Sequence, residues 1–408
     1  MKILLVNKFH FLKGGSEQVY FATKELLEKK GHEVICFSMR HPKNIPCAQD
    51  DYFVREVDFS SRQNWFAKAK RFIYFNEAAE NLERLLEKEK PDIAHLHNIS
   101  HQLTPAILKP LKKRGIPIVQ TLHDYQLICP NYRLFTQGAT CKRCKRHRYY
   151  QAIVHRCVQN SAAASLLAST ELTCQRLFQF YREKVNLFIS PSKFLASKLK
   201  EWGVTQPIKV VNNFIETGNF QPNYQPGDYL ICVSRLSEEK GILTLLKAMK
   251  TTGDIKLKLV GDGPMKQSVE SYIRKNKLTN VEYVGAAYGE QLKEMIRQAR
   301  AFVIASEWYE NYPISVLEAM ALGKPVLASN IGGLPEIVKD NETGWLFPTG
   351  DIGALSRKIR ECYRAPDIEQ LGRQARQQVE QQNCSDKHYS ELIACYEFVC
   401  QKCRLGLG

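Results

Sequence analysis

Residues 301–327 read AFVIASEWYENYPISVLEAMALGKPVL, and their pattern decides the fold. Residues 301–305 form an apolar run of strand length, and Lys324-Pro325-Val326-Leu327 opens a second. Between them Ile314, Leu317, Met320 and Ala321 recur at helical spacing, with Gly323 just past the predicted helix end and Pro325 blocking its continuation. Strand–loop–helix–strand units of this kind build parallel sheets whose ligand sites lie at the carboxyl ends of the strands. Glu310 falls in the loop and Glu318 in the helix. Pro313 suits a first helical turn, whose unpaired N–H groups and positive dipole end can face an anion or a sugar hydroxyl. Taken alone, the two glutamates would be solvated surface charges.

The surrounding chain gives them company. At 408 residues it predicts two domains rather than one core. The composition, 44% hydrophobic and 25% charged, is that of a soluble globular protein. No apolar run reaches bilayer-spanning length, which excludes an integral helical membrane protein. The opening strand 2–6 runs into polar Asn7 and Lys8, too soon for a signal peptide. A cytoplasmic protein is expected, in which the 13 cysteines stay mostly reduced or bind metal. The net charge of +16 is uneven: residues 1–190 carry 30 Lys and Arg against 17 Asp and Glu, and the remainder 28 against 25. A basic first half predicts an anionic partner, whether nucleotide, nucleic acid or acidic membrane.

Strand 2–6 leads into Gly14-Gly15, then a helix over 16–30 and a strand over 33–38. Paired glycines before a helix N-terminus let a ligand approach the backbone, although a tight turn needs the same residues. The segment 61–75, SRQNWFAKAKRFIYF, reads either as a helix with its aromatics in the core or as a basic interfacial helix dipping Trp65, Phe66 or Phe72 into a membrane. Strands over 92–96 and 116–122 exit at His97-Asn98 and His123-Asp124, where open α/β sheets place ligand contacts. Cys129, Cys141, Cys144 and Cys157 follow in a basic segment. They fit a structural zinc or an iron–sulfur centre, or else four unrelated thiols in a surface insertion.

Strands over 186–189 and 208–211 close this half, and the Pro-, Asn- and Gly-rich stretch 219–228 reads as the linker. The second half opens with a strand over 229–234 followed by Arg235 and Lys240-Gly241, a strand exit and helix start suited to two phosphates. Strand 256–260 leads into Gly261-Asp262-Gly263-Pro264, strand 281–284 into Gly285, and SNIGGLPE at 329–336 supplies Gly332-Gly333.

Together, Arg235…Lys240-Gly241, the Gly261–Pro264 turn, the Glu310-Asn-Tyr-Pro-Ile-Ser-Val-Leu-Glu318 stretch and Gly332-Gly333-Leu-Pro-Glu336 resemble the retaining family 4 glycosyltransferases. Gly14-Gly15, HLHN at 95–98 and TLHDY at 121–125 extend the resemblance over nearly the whole chain. It implies a GT-B α/β architecture of two Rossmann-like domains facing a cleft. Residues 1–215 would bind acceptor, with a cysteine-rich insertion near 126–160; 216–385 would bind the donor; the last helix, from 386, would return to the first domain. The implied donor is a UDP- or GDP-sugar and the acceptor a glycan or lipid-linked hydroxyl, with an anionic membrane surface at the inner face as a further partner.

The resemblance also distributes roles. Arg235 and Lys240 would neutralise the leaving diphosphate, Glu318 would take the ribose hydroxyls and Glu310 those of the donor sugar. His123 would lie near the reacting carbon, and Gly14 and Gly15 would leave room for diphosphate and acceptor. Gly261, Asp262, Gly263, Asn311, Tyr312, Pro313, Ile314, Gly332 and Gly333 would complete the donor site. Retention by front-face attack needs no divalent metal, in keeping with the lack of a D-x-D sequence. Other GT-B chemistries, a sugar phosphorylase or nucleotide-sugar epimerase, share this frame. A zinc-containing nucleic-acid-binding protein would leave the glutamate motif idle, and no recognition module is present.

Overall fold

Short apolar runs bounded by turns become parallel strands in both halves of the chain. The computed structural model describes residues 1–56 and 71–405. It divides into two units: one of Met1–Leu134, Lys142–Asn212 and the chain from His388 on, the other of Phe135–Cys141 and Asn213–Lys387. The first contains β1 (Lys2–Val6), β2 (Glu33–Phe37), β3 (Ile93–Leu96) and β4 (Ile118–Thr121). A two-strand hairpin of β5 (Phe135–Thr136) and β6 (Ala139–Thr140) belongs to the second unit. Then β7 (Leu187–Ser190) and β8 (Ile208–Val210) complete the first sheet, ordered β2-β1-β3-β4-β7-β8 and parallel throughout. Strands β3, β4 and β7 are buried along their whole length, the pattern of a sheet covered on both faces.

The second unit repeats the plan with β9 (Tyr229–Val233), β10 (Lys256–Val260), β11 (Val281–Gly285), β12 (Ala301–Ile304), β13 (Val326–Ser329) and β14 (Gly344–Phe347). Its order is β11-β10-β9-β12-β13-β14, again all parallel. Each sheet therefore reverses its winding once, between β1 and β3 and between β9 and β12. At such a reversal the connecting helices leave on opposite faces, and a crevice opens beyond the strand ends. The expectation of two Rossmann-like α/β domains holds.

One expectation is corrected. The stretch 219–228 is no linker, for it packs on the second unit: Asn223 N donates to Leu322 O at 3.0 Å, and a Cβ on Gly227 would meet Gln298 O at 1.8 Å. The boundary falls earlier, at Asn212 and Asn213. The terminal helix Ser385–Arg404 buries Leu392, Cys395, Tyr396 and Val399 in the cluster of Ile3, Ile93 and Val119, and partly buried Cys400 and Cys403 pack against it. Of segment 61–75, residues 61–70, Trp65 and Phe66 among them, lie outside the described residues; Phe72 stacks on His101 at 4.1 Å.

Candidate functional site

In the second unit the loops after β9 and β12 meet at the sheet reversal. Arg235 follows β9 and is exposed. Lys240 ends a single 3-10 turn, Glu238–Lys240, and Gly241 then starts the helix Ile242–Met249 at φ +63°. Only glycine fits there, since an added Cβ would stand 2.0 Å from Ala305 O, on the loop after β12. That close approach places Lys240 Nζ 2.6 Å from Glu310 Oε1. Ser306 Oγ donates to the same oxygen at 2.6 Å, and Lys240 lies 5.0 Å from the Trp308 ring centroid.

Burial alone would raise the Glu310 carboxyl, but Lys240 and Ser306 outweigh it and hold the group below its usual range. Gly332, at φ +63°, packs where a Cβ would meet Glu310 O at 2.3 Å, and Gly333 N donates to that carbonyl at 2.7 Å. Gly261 and Gly263 serve the neighbouring strand exit, each so close to the 234–236 backbone that a Cβ would clash; Asp262 O accepts from Leu236 N at 2.9 Å.

Pro313 stands just ahead of the helix Ile314–Ala321 as its N-cap, and Glu318 lies within it. Burial pushes the Glu318 carboxyl up to about 7, against a downward pull from Lys293. Asn311 and Tyr312 are buried. The Tyr312 carbonyl accepts from Asn213 Nδ2 and its hydroxyl from Asn383 Nδ2, at 2.9 and 3.0 Å, so this tyrosine has a framework role inside the unit. Ser306 escaped the sequence reading; its signal is its place directly after a buried strand and four residues before Glu310.

In the first unit the reversal lies between β1 and β3. Gly14 is the N-cap of the helix Gly15–Lys29 without any side-chain cap. A Cβ on Gly15 would meet nothing within 4 Å, and one on Gly14 only Glu17 Oε2 at 3.7 Å. At the ends of β3 and β4, His97 Nδ1 and His123 Nε2 are 2.9 Å apart. These two line a small cavity with Gln120, Asp124, Gln126 and Tyr181. Burial pushes His123 down to about 4, with Lys8 adding to the shift, and raises the Asp124 carboxyl.

Cys129 and Cys144 are buried, Cys141 and Cys157 half-buried, and the Cys129 thiol donates to Asn131 Oδ1 at 2.9 Å. Among the described residues no three His, Cys, Asp or Glu side chains are grouped to hold a metal ion. No helix among them is long and apolar enough to cross a membrane.

Two family models cover the chain: glycosyltransferase family 4 over residues 13–219, and glycosyl transferases group 1 over 216–379. The N-acetyl-alpha-D-glucosaminyl L-malate synthase of Bacillus anthracis is 22% identical over 388 residues, covering 94% of this chain and 93% of its own. Two other curated relatives, a glycosyltransferase of Methanocaldococcus jannaschii and the sulfoquinovosyl transferase SQD2 of Arabidopsis thaliana, are 27% and 25% identical, and the matches cover 50% of this chain in each case and 57% and 43% of their own length. Among solved structures, sucrose-phosphate synthase from Thermosynechococcus elongatus is 20% identical with a TM-score of 0.71, covering 97% of this chain and 98% of that one. Anabaena HepE in complex with UDP and glucose is 16% identical with a TM-score of 0.66, covering 97% and 99%.

Proposed function

The chain belongs to glycosyltransferase family 4, and from that premise we propose that it moves a sugar, with retention, from a UDP- or GDP-sugar to a hydroxyl of a glycan or lipid-linked acceptor in polysaccharide or glycoconjugate synthesis. The observation that carries this reading is the Lys240–Glu310 pair at the sheet reversal, with Arg235 at the same strand exit. Breaking the sugar–phosphate bond leaves charge on the diphosphate, and preorganised cations there lower the barrier. Glu310 accepts hydrogen bonds from the donor sugar, Glu318 from the ribose, and His123 faces the sugar near the reacting carbon. Gly14 and Gly15 admit the diphosphate. The leaving phosphate takes the acceptor proton, so the chemistry requires no divalent ion.

The test is turnover of UDP- and GDP-sugars with and without a glycan or polyprenyl-phosphate-linked acceptor, after a thermal-shift screen has selected the base. A selectively bound nucleotide raises the melting temperature. Acceptor-dependent release of nucleoside diphosphate, with the anomeric configuration retained, supports the reading. Release needing only inorganic phosphate, or a changed sugar without acceptor, points instead to a phosphorylase or an epimerase.

The basic first half supports peripheral binding to an anionic membrane. Co-sedimentation with vesicles should rise with acidic lipid and fall with salt, and indifference to lipid charge would remove this part of the proposal.

A further inference from the structure

The rings of His97 and His123 lie 19° from parallel with centroids 5.1 Å apart, the separation that two imidazoles reach when joined end to end through the 2.9 Å contact between His97 Nδ1 and His123 Nε2, so that contact is close to in-plane, as a ring hydrogen bond requires. Both rings are neutral near pH 7. Burial holds His97 well below its ordinary value, with His95, His123 and His388 adding to it, and holds His123 down to about 4, with Lys8 adding. Two neutral imidazoles sharing one hydrogen bond must take matched tautomers: one nitrogen of the pair carries the proton and the other is bare. Either His97 carries it on Nδ1 and His123 on its own Nδ1, or both carry it on Nε2.

The rest of the His97 environment separates these cases. His97 is 1% exposed, and its Nε2 has no hydrogen-bond partner among the described residues. Tyr20 packs edge-on at 5.4 Å, but its hydroxyl is bonded to His10 Nδ1 at 3.0 Å. The nearby ring of His95 has both nitrogens occupied, by Tyr396 OH and Thr121 Oγ1, each at 2.7 Å. Gln120 spends its Nε2 on the His97 carbonyl, at 3.3 Å. Among the described residues, a proton on His97 Nε2 would therefore be a buried donor with nothing to accept it, the costlier kind of orphan; a bare nitrogen there is tolerated more easily.

We infer that His97 is a positioning residue that sets the tautomer of His123. His97 Nδ1–H donates to His123 Nε2, and His123 keeps its proton on Nδ1. His123 is thus held as a neutral imidazole with its N–H at Nδ1, a donor of the kind a sugar oxygen accepts, while Nε2 takes the His97 bond. The bearing on turnover rests on the proposed place of His123 at the sugar; the tautomer does not.

The experiment is long-range 1H–15N correlation spectroscopy at pH 7 on full-length protein labelled with ring-15N histidine, His123 being identified by the signals lost in His123→Asn. The expected pattern is that of the Nδ1–H tautomer, and an Nε2–H pattern or an averaged one overturns the inference without any His97 variant. Two variants sharpen it. In His97→Asn the amide nitrogen sits two bonds from Cβ, as Nδ1 does, and the donor is kept; in His97→Gln it moves one bond further and the donor is lost. His97→Asn should preserve the His123 pattern and keep kcat within about threefold. His97→Gln should shift the pattern and lower kcat roughly tenfold or more, with a smaller change in donor KM, the scale of losing a partner that orients a histidine. A His97→Gln protein with an unshifted pattern overturns the inference. If the tautomer results hold while His123→Ala turns over normally, the lock stands and the placement of His123 at the sugar fails.

Discussion

Lys240 Nζ and Glu310 Oε1 are 2.6 Å apart, the lysine side chain 20% exposed and the glutamate 5%. The pair lies where the second sheet reverses its winding, so a lysine from the β9 side and a glutamate from the β12 side meet directly. Breaking such a pair leaves a largely buried carboxylate uncompensated. Lys240→Met should therefore lower the melting temperature by several degrees near pH 7. The depressed Glu310 pKa means that the pair's contribution is present above the ordinary carboxylate value and is lost as pH falls through the lower folded value. Melting curves from pH 3 to 8 check this: the gap between Lys240→Met and wild type should close toward the acid end. A gap that widens there would mean that Glu310 is not held ionised by Lys240.

Arg235 is exposed at the same strand exit and supports no core. Arg235→Ala should leave the melting temperature within about a degree, since exposed side chains away from caps and networks contribute little. Turnover should fall by roughly two to three orders of magnitude, the scale for losing one preorganised group at developing charge. A folded variant with near-native turnover would remove Arg235 from the leaving-group site.

Glu318 titrates in the opposite sense from Glu310. Its folded pKa, raised by burial to about 7, stands above the unfolded value, so ionising it costs stability as pH rises from about 4.5 through 7. Glu318→Gln should stabilise the apo protein at pH 8, by on the order of 2 kcal/mol, and leave it unchanged near pH 4. Ribose hydroxyls favour the ionised carboxylate. Wild-type affinity for the nucleoside diphosphate should therefore drop as pH falls below about 7, and the Gln variant should bind weakly with no such step. Glu310→Gln, in contrast, should spare the free diphosphate and weaken the intact nucleotide sugar. Calorimetric titrations across pH check both, and equal losses for both ligands in both variants would show the roles wrongly divided.

The second sheet was legible because its signals are local. Apolar runs such as Ala301–Ile304 announce buried parallel strands, and Glu310, Glu318, Gly332 and Gly333 fall within one short span. What escaped depends on distant parts of the chain. The 219–228 stretch has linker composition, yet it is held by Leu322 and Gln298, partners about a hundred and about seventy positions further along the chain. Tyr312 sits inside the best motif of the chain, but its hydroxyl and carbonyl are claimed by Asn383 and Asn213. Cysteine spacing likewise could not show that Cys129 would bond to Asn131 two residues on. The hydrogen bond between His97 and His123 joins the ends of adjacent strands, and only the pairing of β3 with β4 makes it.

Glycines at the two reversals are there for different reasons, and substitution separates them. Gly332 is fixed by the fold: at φ +63°, with Glu310 O 2.3 Å from where its Cβ would be, alanine must shift the backbone that carries Glu310. The left-handed conformation alone costs about 1–2 kcal/mol, and the clash adds to it, so Gly332→Ala should lose both melting temperature and turnover. Gly15 has no such constraint, since a Cβ there meets nothing within 4 Å and its backbone begins an ordinary helix, where alanine is the better residue by up to about 1 kcal/mol. On folding grounds Gly15→Ala should be neutral or stabilising. If the donor diphosphate approaches this helix start, the same methyl group occupies its space, and turnover should fall at least tenfold with the melting temperature unchanged or higher. Melting curves and initial rates on the two variants side by side decide it. A Gly15→Ala enzyme as active as wild type would mean that no ligand comes close to this turn.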